Sequence, residues 1–177
     1  MWNKRPAAHR AADEGGGMDA QDYEAACQKA LDAAAKQLAC RALSQKQLRD
    51  KLLARGFAED AADYAVAWLE AHGLLNDEAF AASVTRVYER RGYGENRIRQ
   101  ELRRRGVGRD AAEEALEQFS PDLAQMTALL DKRLHGDLSD RREVDKAVAA
   151  LQRRGYRWDD IRAALRAYGA EGGDEDS

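Results

Sequence analysis

Two prolines, two cysteines and an aromatic share of 7% are all that this 177-residue sequence holds of those residue types. So few helix breakers, in a chain dominated by leucine, alanine, arginine and glutamate, favour helices over sheet. The thin aromatic content argues against a single-strand platform built on base stacking. An excess of one charge is also missing: the net charge is -3 although 34% of residues are charged, so the chain is not a globally basic nucleic-acid binder. No apolar run approaches the roughly 18–20 residues a bilayer span requires, which implies no membrane partner. The basic start, Met1-Trp-Asn-Lys-Arg-Pro, has no apolar stretch behind it, which argues against a secretory signal. Cys27 and Cys40 lie 13 residues apart in one alanine-rich helical stretch. That is about 20 Å along a helix, beyond the roughly 7 Å that a disulfide tolerates between Cα atoms. Two reduced, partly buried thiols in a cytoplasmic protein are expected.

Signals for catalysis are missing as well. There is no GxxxxGK[ST] and no HExxH, and the Gly15–Gly17 run lies outside any strand-to-helix context. His9, His72 and His135 are isolated, the last two near helix ends where a capping role is common. No nucleophile, base or ligand set converges, so no catalytic, metal or cofactor residue is assigned and an enzyme is not expected.

What the sequence does have is a phrase that occurs three times. It reads Leu52-Leu-Ala-Arg55-Gly56-Phe57, then Leu102-Arg-Arg-Arg105-Gly106-Val107, then Leu151-Gln-Arg-Arg154-Gly155-Tyr156, with the glycines 50 and 49 residues apart. A period of that length marks an array of supersecondary units, and such arrays present extended surfaces to partners. Apolar residues follow each glycine at matched offsets of +6, +9, +10 and +13: Ala62, Ala65, Val66 and Leu69; Ala112, Ala115, Leu116 and Phe119; Ile161, Ala164, Leu165 and Tyr168.

Three helices per repeat follow from this pattern. The expected architecture is all-α, with three tandem three-helix repeats in an elongated, curved array. The divisions are residues 1–20 as a disordered arm, 21–75, 76–119 and 120–169 as the repeats, and 170–177 as an acidic disordered tail. Ser44 with Gln47 reads as a capping box ahead of Leu48 and Leu52, and Asp140 with Glu143 as a second. Gly56 suits a left-handed C-cap. Asn76 or Asp77 caps the helix carrying Phe80, Val84, Val87 and Tyr88. Ser120 and Pro121 read as N-cap and first helical residue of the third repeat. Each unit has a small core, so stacking on neighbours should matter to stability.

Charge alternates along the array. Residues 57–82 hold six acids and no Lys or Arg, whereas residues 83–109 are strongly basic. Arginines at helix C-termini complement the helix dipole, and Arg55, Arg105 and Arg154 recur beside the apolar stripe, where a packed stem and a paired head are expected. Dipole complementation does not require the number of cations in the middle repeat. Arg86 and Arg90 stand at i, i+4 on its first helix, Arg91 follows, and Arg97, Arg99, Arg103 and Arg104 flank the Ile98–Leu102 stripe. These seven are the candidate contacts to phosphates or to an acidic protein surface; a solvated or internally paired face is the alternative.

Several stretches match a known family. Leu38 to Leu52 and Gly73-Leu-Leu-Asn76-Asp77-Glu78-Ala-Phe80-Ala81 resemble the first repeat of the RecX proteins and its junction into the second. The run Arg91-Gly92-Tyr93-Gly94-Glu95-Asn96-Arg97-Ile98-Arg99-Gln100-Glu101-Leu102 through Gly106 resembles the family's RGYG-x-x-RIRQEL signature, and Arg154 through Leu165 is similar to its third repeat. The resemblance covers about residues 25–168. It implies a bacterial cytoplasmic regulator of recombination, built from three three-helix repeats and bound as a monomer in the groove of RecA recombinase filaments on single-stranded DNA. There it would restrain strand exchange and related filament activities, with DNA reached through the filament and direct binding weak. A direct DNA binder and a helical adaptor for another protein are the competing functions.

Overall fold

The computed structural model describes residues 19–171, and among them there are nine helices and no strands. The first repeat holds α1 (Ala20–Cys40), α2 (Gln45–Ala54) and α3 (Glu59–Ala71). The second holds α4 (Asp77–Arg90), α5 (Glu95–Arg104) and α6 (Arg109–Glu117). The third holds α7 (Leu123–Leu134), α8 (Arg141–Arg153) and α9 (Trp158–Glu171). In every repeat the first helix packs along the third and the second closes the triangle.

Each triangle buries its own core. Leu48, Leu52 and Leu69 are fully buried among the alanines of α1 and α3. Ile98 and Leu102 are buried beneath Phe80, Val84 and Leu116. Met126, Leu130, Leu151 and Ile161 fill the third. At roughly 1.5–3 kcal/mol for a buried leucine-sized side chain, these separate clusters carry most of the packing. The repeats stack on one another at seams that are polar.

The tripled phrase is a helix stop. Gly56, Gly106 and Gly155 have φ of +86°, +76° and +87°, the left-handed region that a Cβ disfavours. The next residue then donates its N–H back to the phrase's leucine: Phe57 to the Leu52 carbonyl, Val107 to Leu102 and Tyr156 to Leu151, at 3.1–3.2 Å. The glycine N–H reaches the following carbonyl in each case, which completes a Schellman motif. Arg91-Gly92-Tyr93 closes α4 in the same way, through Tyr93 N–H to the Tyr88 carbonyl.

Each stop, from the second onward, docks on the preceding repeat at the start of that repeat's second helix. Ser44, the N-cap of α2, donates its hydroxyl to the Arg105 carbonyl at 2.5 Å, and the Lys46 stem lies over Gly106. The N–H of Gly94, the N-cap of α5, donates to the Arg154 carbonyl at 2.9 Å, and Asn96 N–H donates to the Gly155 carbonyl at 3.0 Å. A Cβ on Gly94 would stand 2.3 Å from the Tyr156 nitrogen, so the glycine is required for close approach. Its φ of -85° suits any residue.

Several boundaries differ from the sequence expectations. Asp19 caps α1 by accepting the Asp22 N–H at 2.8 Å, so positions 19 and 20 join the first repeat and only residues 1–18 of the expected arm lie outside the described residues. Helix α9 runs through Glu171, so the helix takes in positions 170 and 171 and only residues 172–177 of the expected tail lie outside. The third repeat starts its first helix at Leu123, because Asp122 rather than Ser120 supplies the cap, accepting Gln125 N–H at 3.1 Å. Ser44 and Gln47 form the full capping box, and Asn76 caps α4. Asp140 caps α8, but Glu143 turns to Lys146 at 2.5 Å instead of closing the box. Cys27 is buried and Cys40 is exposed at the end of α1, since the helix runs past the core there.

Candidate partner-binding face

The three phrase arginines have different environments. Arg105 pairs with Glu101 at 2.7 Å and lies over the Phe80 ring, as a packed stem with a paired head should. Arg154 finds no carboxylate among the described residues. Its Nη1 donates to the carbonyls of Arg91 and Gly92 at 3.2 and 3.1 Å, and its guanidinium lies 5.7 Å from the Tyr93 ring. Arg55 is exposed and has no ion pair among the described residues, which corrects the expectation for that copy. The difference arises because Arg55 stands on a stop with no described neighbour docked against it.

All seven candidate arginines of the second repeat are exposed, but they are not equally available. Arg104 holds Glu101 in a fork at 2.7 and 2.9 Å. Glu101 is buried, and the hydrogen bonds from Arg104 and Arg105 outweigh desolvation and pull its pKa down to about 2. Arg99 meets Glu95 at 2.8 Å, and the other oxygen of Glu95 takes Arg157 of the third repeat at 3.1 Å. One carboxylate is therefore shared by two arginines across the seam. Arg91 lies 6.0 Å from the Tyr88 ring. Arg97 donates to the neutral Gln100 at 3.2 Å. Arg86, Arg90, Arg97 and Arg103 have no carboxylate within salt-bridge reach among the described residues.

On α5 the structure brings Arg97, Arg103 and Arg104 together with Gln100 and Glu101 around one shallow, open cleft. Arg86 and Arg90 occupy the outer face of α4, opposite Phe80 and Val84, and line no part of it. Sequence reasoning missed Arg157, which contributes positive charge beside Arg99 from the next repeat. It also missed that Glu101 ties down Arg104 and Arg105, although the i+3 and i+4 spacings were legible.

Among the described residues no group of three or more His, Cys, Asp and Glu side chains could hold a metal ion. No helix there is long and apolar enough to cross a membrane. What the cleft offers is guanidinium groups with open hydrogen-bonding capacity, suited to phosphate or carboxylate oxygens.

The family models for the first, second and third three-helix domains of RecX match residues 30–69, 76–116 and 121–165. The chain is 38% identical over 145 residues to the regulatory protein RecX of Halorhodospira halophila, covering 81% of this chain and 90% of that one. It is 41% identical over 128 residues to the RecX of Xanthomonas axonopodis pv. citri, covering 70% and 77%. The crystal structure of RecX from Lactobacillus salivarius superposes with a TM-score of 0.76 at 23% identity, over 82% of this chain and 97% of that one, a likeness of fold. With all three repeats matched in order and the relatives covered over most of their length, the chain belongs to the RecX family of regulatory proteins.

Proposed function

We propose that this chain regulates DNA recombination and repair in the bacterial cytoplasm by binding RecA nucleoprotein filaments and restraining strand exchange, ATP hydrolysis and co-protease action. The observation that carries the proposal is the set of arginines on α4 and α5 that lack a carboxylate partner among the described residues. Arg86, Arg90, Arg97 and Arg103 face solvent without a carboxylate partner, in a chain whose net charge is negative. Carboxylate-free arginines grouped on two neighbouring helices suit an acidic partner, and a filament on single-stranded DNA offers both carboxylates and phosphates.

The pair Arg97→Glu and Arg103→Glu tests this. Neither arginine is needed by a buried acid, so the fold should persist by circular dichroism. Filament inhibition should weaken at least about tenfold, the equivalent of ~1.4 kcal/mol. Undiminished inhibition by the folded double variant would remove this face from the mechanism. Direct DNA binding is separated by salt: if naked single strands are the target, affinity for them falls steeply as salt rises, through counterion release.

A further inference from the structure

Among the described residues the same docking contact occurs twice, with one unmatched half of it in the first repeat and one in the third. In both seams the Arg-Gly stop of one repeat sits on the N-terminus of the preceding repeat's second helix: Arg105-Gly106 on Ser44 to Lys46, and Arg154-Gly155 on Gly94 to Arg97. The remaining stop is Arg55-Gly56 and the remaining N-terminus is that of α8 at Asp140. Nothing among the described residues lies within 4 Å of a Cβ placed on Gly56, whereas the same test at Gly106 and Gly155 meets Lys46 and Arg97 below 3 Å. Arg55 is exposed, and beside it an open groove runs along Gly56, Phe57 and Ala58 to Asp22 and Ala26 of α1.

The two ends are complementary in charge. Beyond Gly56 the first turn of α3 carries Glu59 and Asp60, both exposed, with Glu59 3.7 Å from Arg49 of its own repeat and Asp60 in no ion pair among the described residues. The first turn of α8 carries Arg141 and Arg142, also exposed and without carboxylate partners among the described residues. Cations at a helix N-terminus oppose the helix dipole, so the fold of α8 alone gives no reason for them. Opposite a second molecule's Glu59 and Asp60 they are compensated. The first seam gives the register: Lys46 is the second helical residue of α2 and its stem lies over Gly106 with the ammonium on Asp50 of its own helix, and Arg142 is the second helical residue of α8. Asp140 has a Cβ, as Ser44 does, so the looser first seam and not the tight Gly94 seam is the template, with the difference that a carboxylate only accepts and so faces the Arg55 guanidinium where Ser44 donates to the Arg105 carbonyl.

We infer that this chain associates head to tail with a second copy of itself, the Arg55-Gly56 stop of one molecule docking on the N-terminus of α8 in the next. The contact joins unlike surfaces and does not close on itself, so it builds an open chain of molecules and not a symmetric dimer. It is small and polar, which places it among weak, salt-sensitive interfaces. Dilute protein is therefore monomeric, and association appears as concentration rises. The inference does not depend on the RecA proposal, because its test contains neither filament nor DNA.

Sedimentation velocity of the full chain over a wide concentration range at low salt is the measurement. The expected result is a weight-average sedimentation coefficient that rises with concentration and shows no plateau at the dimer. Arg141→Glu with Arg142→Glu should abolish the rise; this variant favours the α8 dipole, so its folding is not at risk. Glu59→Arg with Asp60→Arg should abolish it too, and an equimolar mixture of the two variants should regain it, because each reversed end then meets an opposite partner. A wild-type coefficient that stays flat to millimolar concentration overturns the inference. So does a plateau at the dimer, or a rise that persists in the folded Arg141→Glu, Arg142→Glu variant.

Discussion

Replacing Gly94 with alanine should separate the second and third repeats while leaving both cores intact. The added Cβ would lie 2.3 Å from the nitrogen and 2.4 Å from the Cα of Tyr156, and 2.5 Å from the carbonyl carbon of Gly155. Those are backbone atoms held by the stop of α8, so no side chain can move aside to make room. The two strands of backbone must part by about 1 Å to restore ordinary van der Waals separation of ~3.5 Å. That breaks the Gly94-to-Arg154 and Asn96-to-Gly155 hydrogen bonds of 2.9 and 3.0 Å. Two backbone hydrogen bonds contribute about 1–3 kcal/mol net. Alanine offsets roughly 0.4–1 kcal/mol of this by restricting the unfolded chain, since the native φ of -85° is open to it. A net loss of about 1–2 kcal/mol remains, localised to the seam. Native-state hydrogen exchange resolves this better than a melting curve, because repeat arrays depart from two-state unfolding. The Asn96 amide should exchange about tenfold faster for each ~1.4 kcal/mol lost, while the amides of Leu102 and Leu151 keep their protection. Gly108→Ala is the control. That glycine also has an extended backbone at a helix N-cap, but nothing lies within 4 Å of its Cβ position, so its effect should be within about 0.5 kcal/mol. If Asn96 stays as protected in the Gly94 variant as in the Gly108 control, the seam is not held as described.

Two further outcomes follow from Glu101 and from the phrase arginines. Glu101 has its pKa lowered from 4.5 to about 2, so its pairing with Arg104 and Arg105 stabilises the fold above about pH 4.5 and that contribution is lost as pH falls from there through about 2. The shift corresponds to at most ~3 kcal/mol, and less in practice because Arg104 is exposed and screened. Acid titration of Glu101→Gln should lack this component, and identical acid profiles for the variant and wild type would count against it. Arg154→Met keeps the stem but removes two charged donors to the Arg91 and Gly92 carbonyls, a loss of about 1.5–3 kcal/mol. Arg55→Met should change stability by less than about 0.5 kcal/mol in the same urea titration, and equal losses at the two sites would show that the arginine acts only within its own stop.

The sequence made the helices and their stops legible because both are local. A glycine at left-handed φ, a leucine four residues before it and an apolar face at fixed offsets are written within about twenty residues of one another. Ser44 and Gln47 could be read as a box for the same reason. The third repeat's start was misplaced because Ser120, Pro121 and Asp122 all carry N-terminal signals, and only the observed hydrogen bond to Gln125 selects Asp122. The candidate face was legible as a surplus of arginine but not as a distribution of it. Whether Arg99 is spent on Glu95 could be read from the i, i+4 spacing. That Glu95 is also spent on Arg157 depends on the rotation between repeats, which no local pattern encodes.

The seams explain why one phrase can recur and its arginine still serve three purposes. The Schellman stop is completed by the leucine carbonyl, the glycine and the residue after it; the arginine side chain takes no part in it. It is left to the surroundings, and they differ: Glu101 and Phe80 for Arg105, the Arg91 and Gly92 carbonyls with Tyr93 for Arg154, and solvent for Arg55. Because the repeats meet through backbone hydrogen bonds and charges and not through shared apolar cores, each seam is specific in register yet modest in strength. Exposing such a seam costs little apolar hydration. An array joined in this way can adjust one repeat against the next without unpacking any of the three cores, and the exposed arginines move with the repeat that carries them.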